Sequence, residues 1–328
     1  MADAVVATGQ RRNARPALAL ALLACAAVAA CAAFMTVGVR GDWSFVLPFR
    51  AAKLAGLVLV GVAIAVSTVL FQTLTQNRIL SPAIMGFDAL YMLIQTAVVF
   101  LFGAAQFAGA GPGVMFAVET AAMVGFSAAL YRWMLSGELR SLHLLMLVGI
   151  VFGVLFRSLS NLMQRMIDPN EFAVLQDRFF ANFNTIHSEL LLIAAVVVLA
   201  ASLAGWRLFH TFDVLALGRE TAINLGVAHK RTVTAILVLV TVLVSVSTAL
   251  VGPVTFFGLL VANLAYQVAG TSRHAVVLPV AVLLATICLV GGQLVLERVF
   301  SFNTALSIII EFLGGITFIA LILRRTVR

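Results

Sequence analysis

The chain has 328 residues, 62% hydrophobic and only 10% charged, with a mean hydropathy of +1.11. Soluble domains carry about a quarter charged residues, so this chain has too few charges to cover a water-exposed surface. The formal net charge is +8, but the basic residues sit in short gaps between apolar runs, which excludes a nucleic-acid footprint.

Apolar runs near the ~20 residues needed to cross a bilayer core predict an all-α, polytopic transmembrane helical bundle. About ten spans are expected, at roughly 17–37, 54–74, 83–103, 113–134, 143–163, 188–206, 232–251, 257–269, 275–292 and 305–323. Residues 1–16 read as a cytoplasmic tail and 17–328 as one transmembrane domain. Arg11, Arg12 and Arg15 followed by an Ala/Leu run resemble a secretory signal, and Leu22-Leu23-Ala24-Cys25 resembles a lipoprotein box. The apolar run to Val39 exceeds the ~7–15 residues of a signal core, and more spans follow, so an uncleaved first helix is expected. Cys25, Cys31 and Cys288 lie inside apolar runs without ligand spacing and read as small hydrophobes.

In the second span Val66-Ser67-Thr68-Val69-Leu70 matches Val246-Ser247-Thr248-Ala249-Leu250 of the seventh. Those spans would run in opposite directions, as in the inverted repeats common in transporters. The eighth span is too short to cross alone unless the chain around Gly252-Pro253 and Gly258 is irregular. Irregular backbone at membrane depth survives only when buried in protein or facing a water-filled cavity. That makes this region a candidate pathway element.

Two connections are long. In 164–187, Asp168-Pro169-Asn170-Glu171 reads as a helix start. Phe172, Leu175, Phe179 and Phe183 then share one helical face, which predicts an amphipathic helix at the outer surface. It either packs on the bundle or meets substrate. In 207–231, a short helix from about Arg219 to Leu225 is expected, closed by Gly226, which tolerates a left-handed cap. It exposes Ala222, Ile223 and Leu225 with nowhere in its own chain to bury them. It is a docking element or an interfacial helix.

The positive-inside rule sets orientation. With the N-terminus inside, 14 of the 21 basic residues lie inside: Arg11, Arg12, Arg15, Arg78, Arg132, Arg140, Arg207, Arg219, Lys230, Arg231, Arg273, Arg324, Arg325 and Arg328. Seven lie outside: Arg40, Arg50, Lys53, Arg157, Arg165, Arg178 and Arg298. Both termini are therefore expected inside.

Missing chemistry narrows the function. No GxxxxGK[ST] loop is present, so this chain is not expected to hydrolyse ATP. His143, His187, His210, His229 and His274 are scattered, and there is no HExxH and no GxSxG elbow. No catalytic residue and no metal site is expected. An ion-coupled carrier would need charges within spans. Asp88 and Glu119 lie near span ends and Glu311 nearer the middle of the last span, a poor proton relay.

Several segments resemble one family. Arg50-Ala51-Ala52-Lys53 stands where an Arg-x-Pro-Arg motif is usual. Gln72 through Asn77-Arg78-Ile79-Leu80-Ser81-Pro82 and Met85-Gly86 resembles a Gln-x(4)-Asn-Pro-Leu-Ala-x-Pro-x-x-Leu-Gly segment, with Arg78 in place of its first proline. Leu217-Gly218…Ala222…Leu225-Gly226-Val227 resembles a Leu-Gly-x(3)-Ala-x-x-Leu-Gly coupling segment, the most specific match. Gly252-Pro253-Val254-Thr255-Phe256-Phe257-Gly258-Leu259 resembles a Gly-x-Ile-x-Phe-Val-Gly-Leu motif. Ala262-Asn263 replaces the usual Pro-His, and Tyr266 the usual Arg. From Arg50 onward the chain is similar to the permease subunits of iron-chelate and vitamin B12 ABC importers (FecCD-type permeases), and its departures resemble the ferric siderophore subgroup.

That resemblance implies a vitamin B12 permease-like bundle and transport of a ferric siderophore across the bacterial inner membrane. The alternatives are a vitamin B12 or haem permease and, in another class, an ion-coupled secondary carrier. Implied partners are ATPase subunits that hold ATP and magnesium, a second homologous permease forming a heterodimer, a periplasmic or lipid-anchored substrate-binding protein, and membrane lipid. No cofactor is expected on this chain. Leu217, Gly218, Arg219, Glu220, Ala222, Leu225, Gly226 and Val227 would couple to the ATPase. Arg50, Lys53 and Arg298 would meet acidic residues of the binding protein, unless they pair with lipid phosphate or a local carboxylate. Gln72, Asn77, Ser81, Pro82, Gly252, Pro253 and Asn263 are the candidate pathway residues.

Overall fold

The computed structural model describes residues 2–39, 42–109, 111–136, 142–302 and 304–326. Side chains are described over these stretches except at 2–16, 45, 104–109, 135–136, 318 and 320–326. Arg40, Arg140 and Arg328 of the charge count thus lie outside the described residues, as do the side chains of Arg11, Arg12, Arg15, Arg324 and Arg325. All regular structure among the described residues is helical. The order is α1 (Ala2–Thr36), α2 (Trp43–Thr75), a 3-10 turn (Pro82–Met85), α3 (Phe87–Gly109), α4 (Pro112–Ser136), α5 (Leu142–Gln164) and α6 (Pro169–Asp177). Then follow α7 (Ser188–Arg207), α8 (Phe209–Leu215), α9 (Arg219–Asn224), α10 (His229–Val251), α11 (Phe257–Ala269), α12 (His274–Arg298) and α13 (Leu306–Thr326).

Among the described residues seven helices are long and apolar enough to cross a membrane. The shorter apolar helices Phe87–Gly103, Phe257–Ala269 and Leu306–Thr317 bring the apolar helices to ten. The expected boundaries need three corrections. The second span begins not at 54 but at Trp43, where the Asp42 side chain accepts the Ser44 N–H at 3.0 Å and caps the helix. Arg50 and Lys53 are therefore on α2 and not in a loop ahead of it. The third span does not start at 83. Gly86 (φ 84) separates the 3-10 turn from α3, and Gly103 (φ 78) breaks α3 again. The helix in the 164–187 connection stops at Asp177, so Phe179 and Phe183 are not on it. Leu175 packs with Val99 of α3, and Asn182 N–H donates to the Val251 carbonyl at 2.7 Å.

α2 is the central helix, packed along α10 and α12. Its Leu70, Phe71 and Leu74 join one apolar cluster with α3, α4 and α10. Its Leu57, Val60 and Val69 join another with α11 and α12. In lipid, helices gain by close packing of small residues more than by leaving water. Accordingly Gly61 of α2 faces Ala285 of α12, and Gly258 of α11 lies against the Thr68 hydroxyl.

Two irregular stretches enter this bundle. The first is the turn after α2. A Cβ on Gly149 would lie 3.0 Å from the Met85 Cα, and one on Gly153 would lie 3.3 Å from the Gly86 Cα. Gly153 is midway along α5, so the turn reaches mid-bundle. The second follows Gly252 (φ 96), which ends α10. Residues 252–256 run without helix until α11 begins beside Thr68.

Candidate functional site

The two breaks meet. The side-chain amides of Gln72 and Asn263 both donate to the Arg78 carbonyl, at 2.9 Å each. The Arg78 guanidinium stacks on the Tyr266 ring at 4.2 Å, and Asn77 Oδ1 accepts the Ile79 N–H at 2.9 Å. Three of the residues that depart from the family motifs, Arg78, Asn263 and Tyr266, are thus in contact.

Ser81 and Pro82 line a small cavity with Ser67 and Thr68 of α2, Ser247 and Thr248 of α10, and Asp88 of α3. The two Val-Ser-Thr copies therefore face one space, as a repeated element around a central site would. Asp88 is 8% exposed and its Oδ2 has no hydrogen-bond partner. Five of the seven expected pathway residues gather at this junction. Gly252 does not: it lines a separate cavity of about 430 Å3 with Arg178, His187 and Glu119, where Gln95 Nε2 donates to Glu119 at 2.7 Å. Pro253 is buried just after the break.

A cavity of about 520 Å3 adjoins the junction, sharing Ser81 and Thr255 with the smaller one, and carries Arg157 of α5 and Glu311 of α13. Arg157 corrects the charge count. It lies within α5, about 10 Å before its end at 1.5 Å per residue, and not in the connection that follows. The available signal was a charge inside an apolar run.

At one end of the bundle, α9 has the short helical form expected of 219–225, ending at Asn224 with Leu225 as its cap. Gly226 N–H bonds to the Ile223 carbonyl and Val227 N–H to the Ala222 carbonyl, at 2.9 and 3.0 Å. With Gly226 at φ 85, this is a Schellman cap. Ala222 is not exposed as expected but buried in the core, where it anchors the helix, whereas Leu217, Ile223 and Leu225 are exposed. Gly218 (φ 101) precedes the helix, and Arg219 and Glu220 are exposed on its first turn.

This segment is tied to the spans by bonds that the sequence reading missed. Gln76 Nε2 donates to the Leu215 carbonyl at 2.8 Å, joining α2 to α8. The His274 ring bridges Asp213 Oδ1 at 2.6 Å and Thr73 Oγ1 at 2.7 Å, joining α8, α12 and α2. Partial burial alone would raise the Asp213 carboxyl. The bonds from the His274 N–H and ring, with the His274 and Arg273 charges, outweigh it and hold Asp213 below the usual carboxylate range.

At the opposite end Arg50, Lys53 and Arg298 do come together. Lys53 is 6% exposed and pairs with Glu297 at 2.8 Å, which Gln293 also contacts at 3.1 Å. Arg50 donates to the Phe34 and Val37 carbonyls at 2.6 and 3.0 Å. Arg298 donates to those of Val37 and Gly38 at 2.7 and 2.8 Å. Arg50 thus serves a carbonyl in the last turn of α1, which the helix leaves unpaired, and both arginines hold the Val37–Gly38 turn that follows it. Local carboxylate pairing describes Lys53, and Arg298 keeps an exposed surface.

Residues 17–324 match the FecCD transport family. The chain belongs to this family. The petrobactin import system permease protein YclO of Bacillus subtilis is 51% identical over 284 residues, 87% of this chain and 90% of that protein. The petrobactin import system permease protein FatC of Bacillus anthracis is 37% identical, over 84% of this chain and 78% of that protein. Among solved structures, a metal-chelate type ABC transporter in an inward-facing conformation superposes with a TM-score of 0.82 at 22% identity. The match covers 94% of this chain and 99% of that one. This FecCD member is thus a multi-span membrane permease with the all-helical fold expected of it.

Proposed function

We propose that this chain is the permease subunit of an ATP-driven importer that carries a ferric siderophore of the petrobactin class across the bacterial inner membrane. The carrying observation is the 51% identity to a petrobactin permease over 87% of the chain. ATP and magnesium belong to a partner ATPase, and a second, non-identical permease completes the pathway. A substrate-binding protein delivers the iron complex from outside.

In this reading α9 lies on the cytoplasmic side and both termini are inside. The exposed Leu217, Ile223 and Leu225 enter a cleft of the ATPase. Closure of the two ATPases displaces α9 and α8. The Gln76–Leu215 and Thr73–His274–Asp213 bonds pass that displacement to α2 and α12. α2 carries Ser67, Thr68 and Gln72 of the junction, so the lever ends on the pathway wall. The nucleotide only has to bias two arrangements of the spans. At the outer end Arg298 and Arg50 remain the docking candidates, acting on encounter and orientation more than on affinity. Lys53 acts there through its buried pair.

The test is iron-limited growth of a deletion strain supplied with defined siderophores. Loss of growth on petrobactin, restored by the intact gene, is expected. Normal growth on petrobactin with loss of vitamin B12 or haem use would overturn the substrate.

A further inference from the structure

α5 is a span most of whose surface is exposed, and Arg157 is among its exposed residues. Glu311, five residues into α13, is exposed as well. Both line the cavity beside the two backbone breaks, where Glu311 accepts the Thr255 hydroxyl at 3.4 Å. Arg157 has no ion pair or hydrogen bond to another described residue.

A charge at this depth costs about 2.5–3.5 kcal/mol or more if it faces lipid. Intramembrane charges therefore face protein or water-filled space. The α5–α13 face bearing Arg157 and Glu311 accordingly meets protein or water-filled space and not lipid. That space is also asymmetric in charge. Arg157 offers a planar fork of donors suited to carboxylate-type oxygens, whereas Glu311 and Asp88 repel anions.

We infer that Arg157, about 10 Å inside the end of α5 at 1.5 Å per residue, is a substrate-binding residue of the pathway, taking the anionic oxygen shell of the ferric complex, with Glu311 opposing it to keep the complex from being trapped. The inference rests on the siderophore reading above, since iron held by catecholate and carboxylate groups is a net anion. A translocation site must hold its cargo firmly enough to admit it and weakly enough to release it. One guanidinium set against carboxylates meets both demands.

The experiment uses the full transporter in proteoliposomes with radio-iron-labelled ferric petrobactin delivered by its binding protein. Uptake, ATP hydrolysis and subunit assembly are measured for Arg157→Gln, Arg157→Lys, Arg157→Glu and Glu311→Gln. Losing a hydrogen bond to a charged group lowers uptake about tenfold or more in Arg157→Gln. Arg157→Glu is at least as low, Arg157→Lys, which keeps the charge but loses the fork, is intermediate, and Glu311→Gln retains at least about half, with assembly and ATP hydrolysis intact throughout. Equal losses in Arg157→Gln and Glu311→Gln would show an ion pair holding α5 to α13 and overturn the inference. So would equal uptake across the Arg157 series, or losses that track assembly. Failure of the wild-type complex to move ferric petrobactin would instead strike the functional reading itself.

Discussion

Lys53→Met is the most informative perturbation of the fold. Lys53 is 6% exposed and its ammonium lies 2.8 Å from Glu297. Removing one member of a buried pair leaves the other charged and unpaired, a loss of about 3–5 kcal/mol. Two features pull the value toward the lower limit here. Gln293 continues to donate to Glu297 at 3.1 Å, and the Glu297 side chain retains 12% exposure. About 3 kcal/mol is therefore expected for Lys53→Met. Glu297→Met should cost more, because among the described residues the stranded ammonium then has only the Phe49 and Phe302 rings nearby. The double variant removes both charges and should cost no more than the Glu297 variant alone, well short of the sum, with a coupling energy of about 3 kcal/mol. Chemical denaturation of the purified permease in a fixed detergent measures all four states. Additive losses, or a stable Lys53→Met protein that only fails to capture the binding protein, would refute the internal role of this pair.

Leu225→Glu should abolish uptake and ATPase co-purification while membrane insertion stays normal, because Leu225 is exposed and supports no core. Normal uptake would remove α9 from the coupling path. Asp213→Asn should uncouple, leaving ATP hydrolysis with uptake reduced about tenfold, the scale of a lost charged hydrogen bond. Asp213 titrates below its unfolded value, so its stabilisation is complete above the unfolded pKa of about 4 and is lost as pH falls through the folded value. Wild-type coupling should therefore show no change from this group between about pH 5 and 8. Gly149→Leu should prevent assembly, since even a Cβ meets the Met85 Cα at 3.0 Å. Uptake in that variant would show that the turn can withdraw from α5.

Spans and the short helix α9 were legible because their causes are local. Apolar length marks a span, and Gly218 and Gly226 bracket a six-residue helix beside which Ile223 and Leu225 stay exposed. The short eighth span was also legible, since thirteen residues cannot cross a bilayer. The start of α2 was not, because Trp43–Lys53 mixes charges with apolar residues and only the contacts of Arg50 and Lys53 show those charges consumed. The re-entrant turn was hidden for a similar reason. Pro82–Met85 and α3 read as one apolar run, and the break depends on Gly149 and Gly153, over sixty residues away. The His274 bridge joins residues from three helices and leaves no spacing to find.

The most direct measurement is uptake of ferric petrobactin by proteoliposomes holding this chain with its partner permease, ATPase and binding protein. Uptake that requires internal ATP, persists with a proton ionophore and ceases with Leu225→Glu is the expected result. Uptake driven by an ion gradient without nucleotide, or unchanged in Leu225→Glu, would contradict the assignment of this chain as a pathway moved from outside itself.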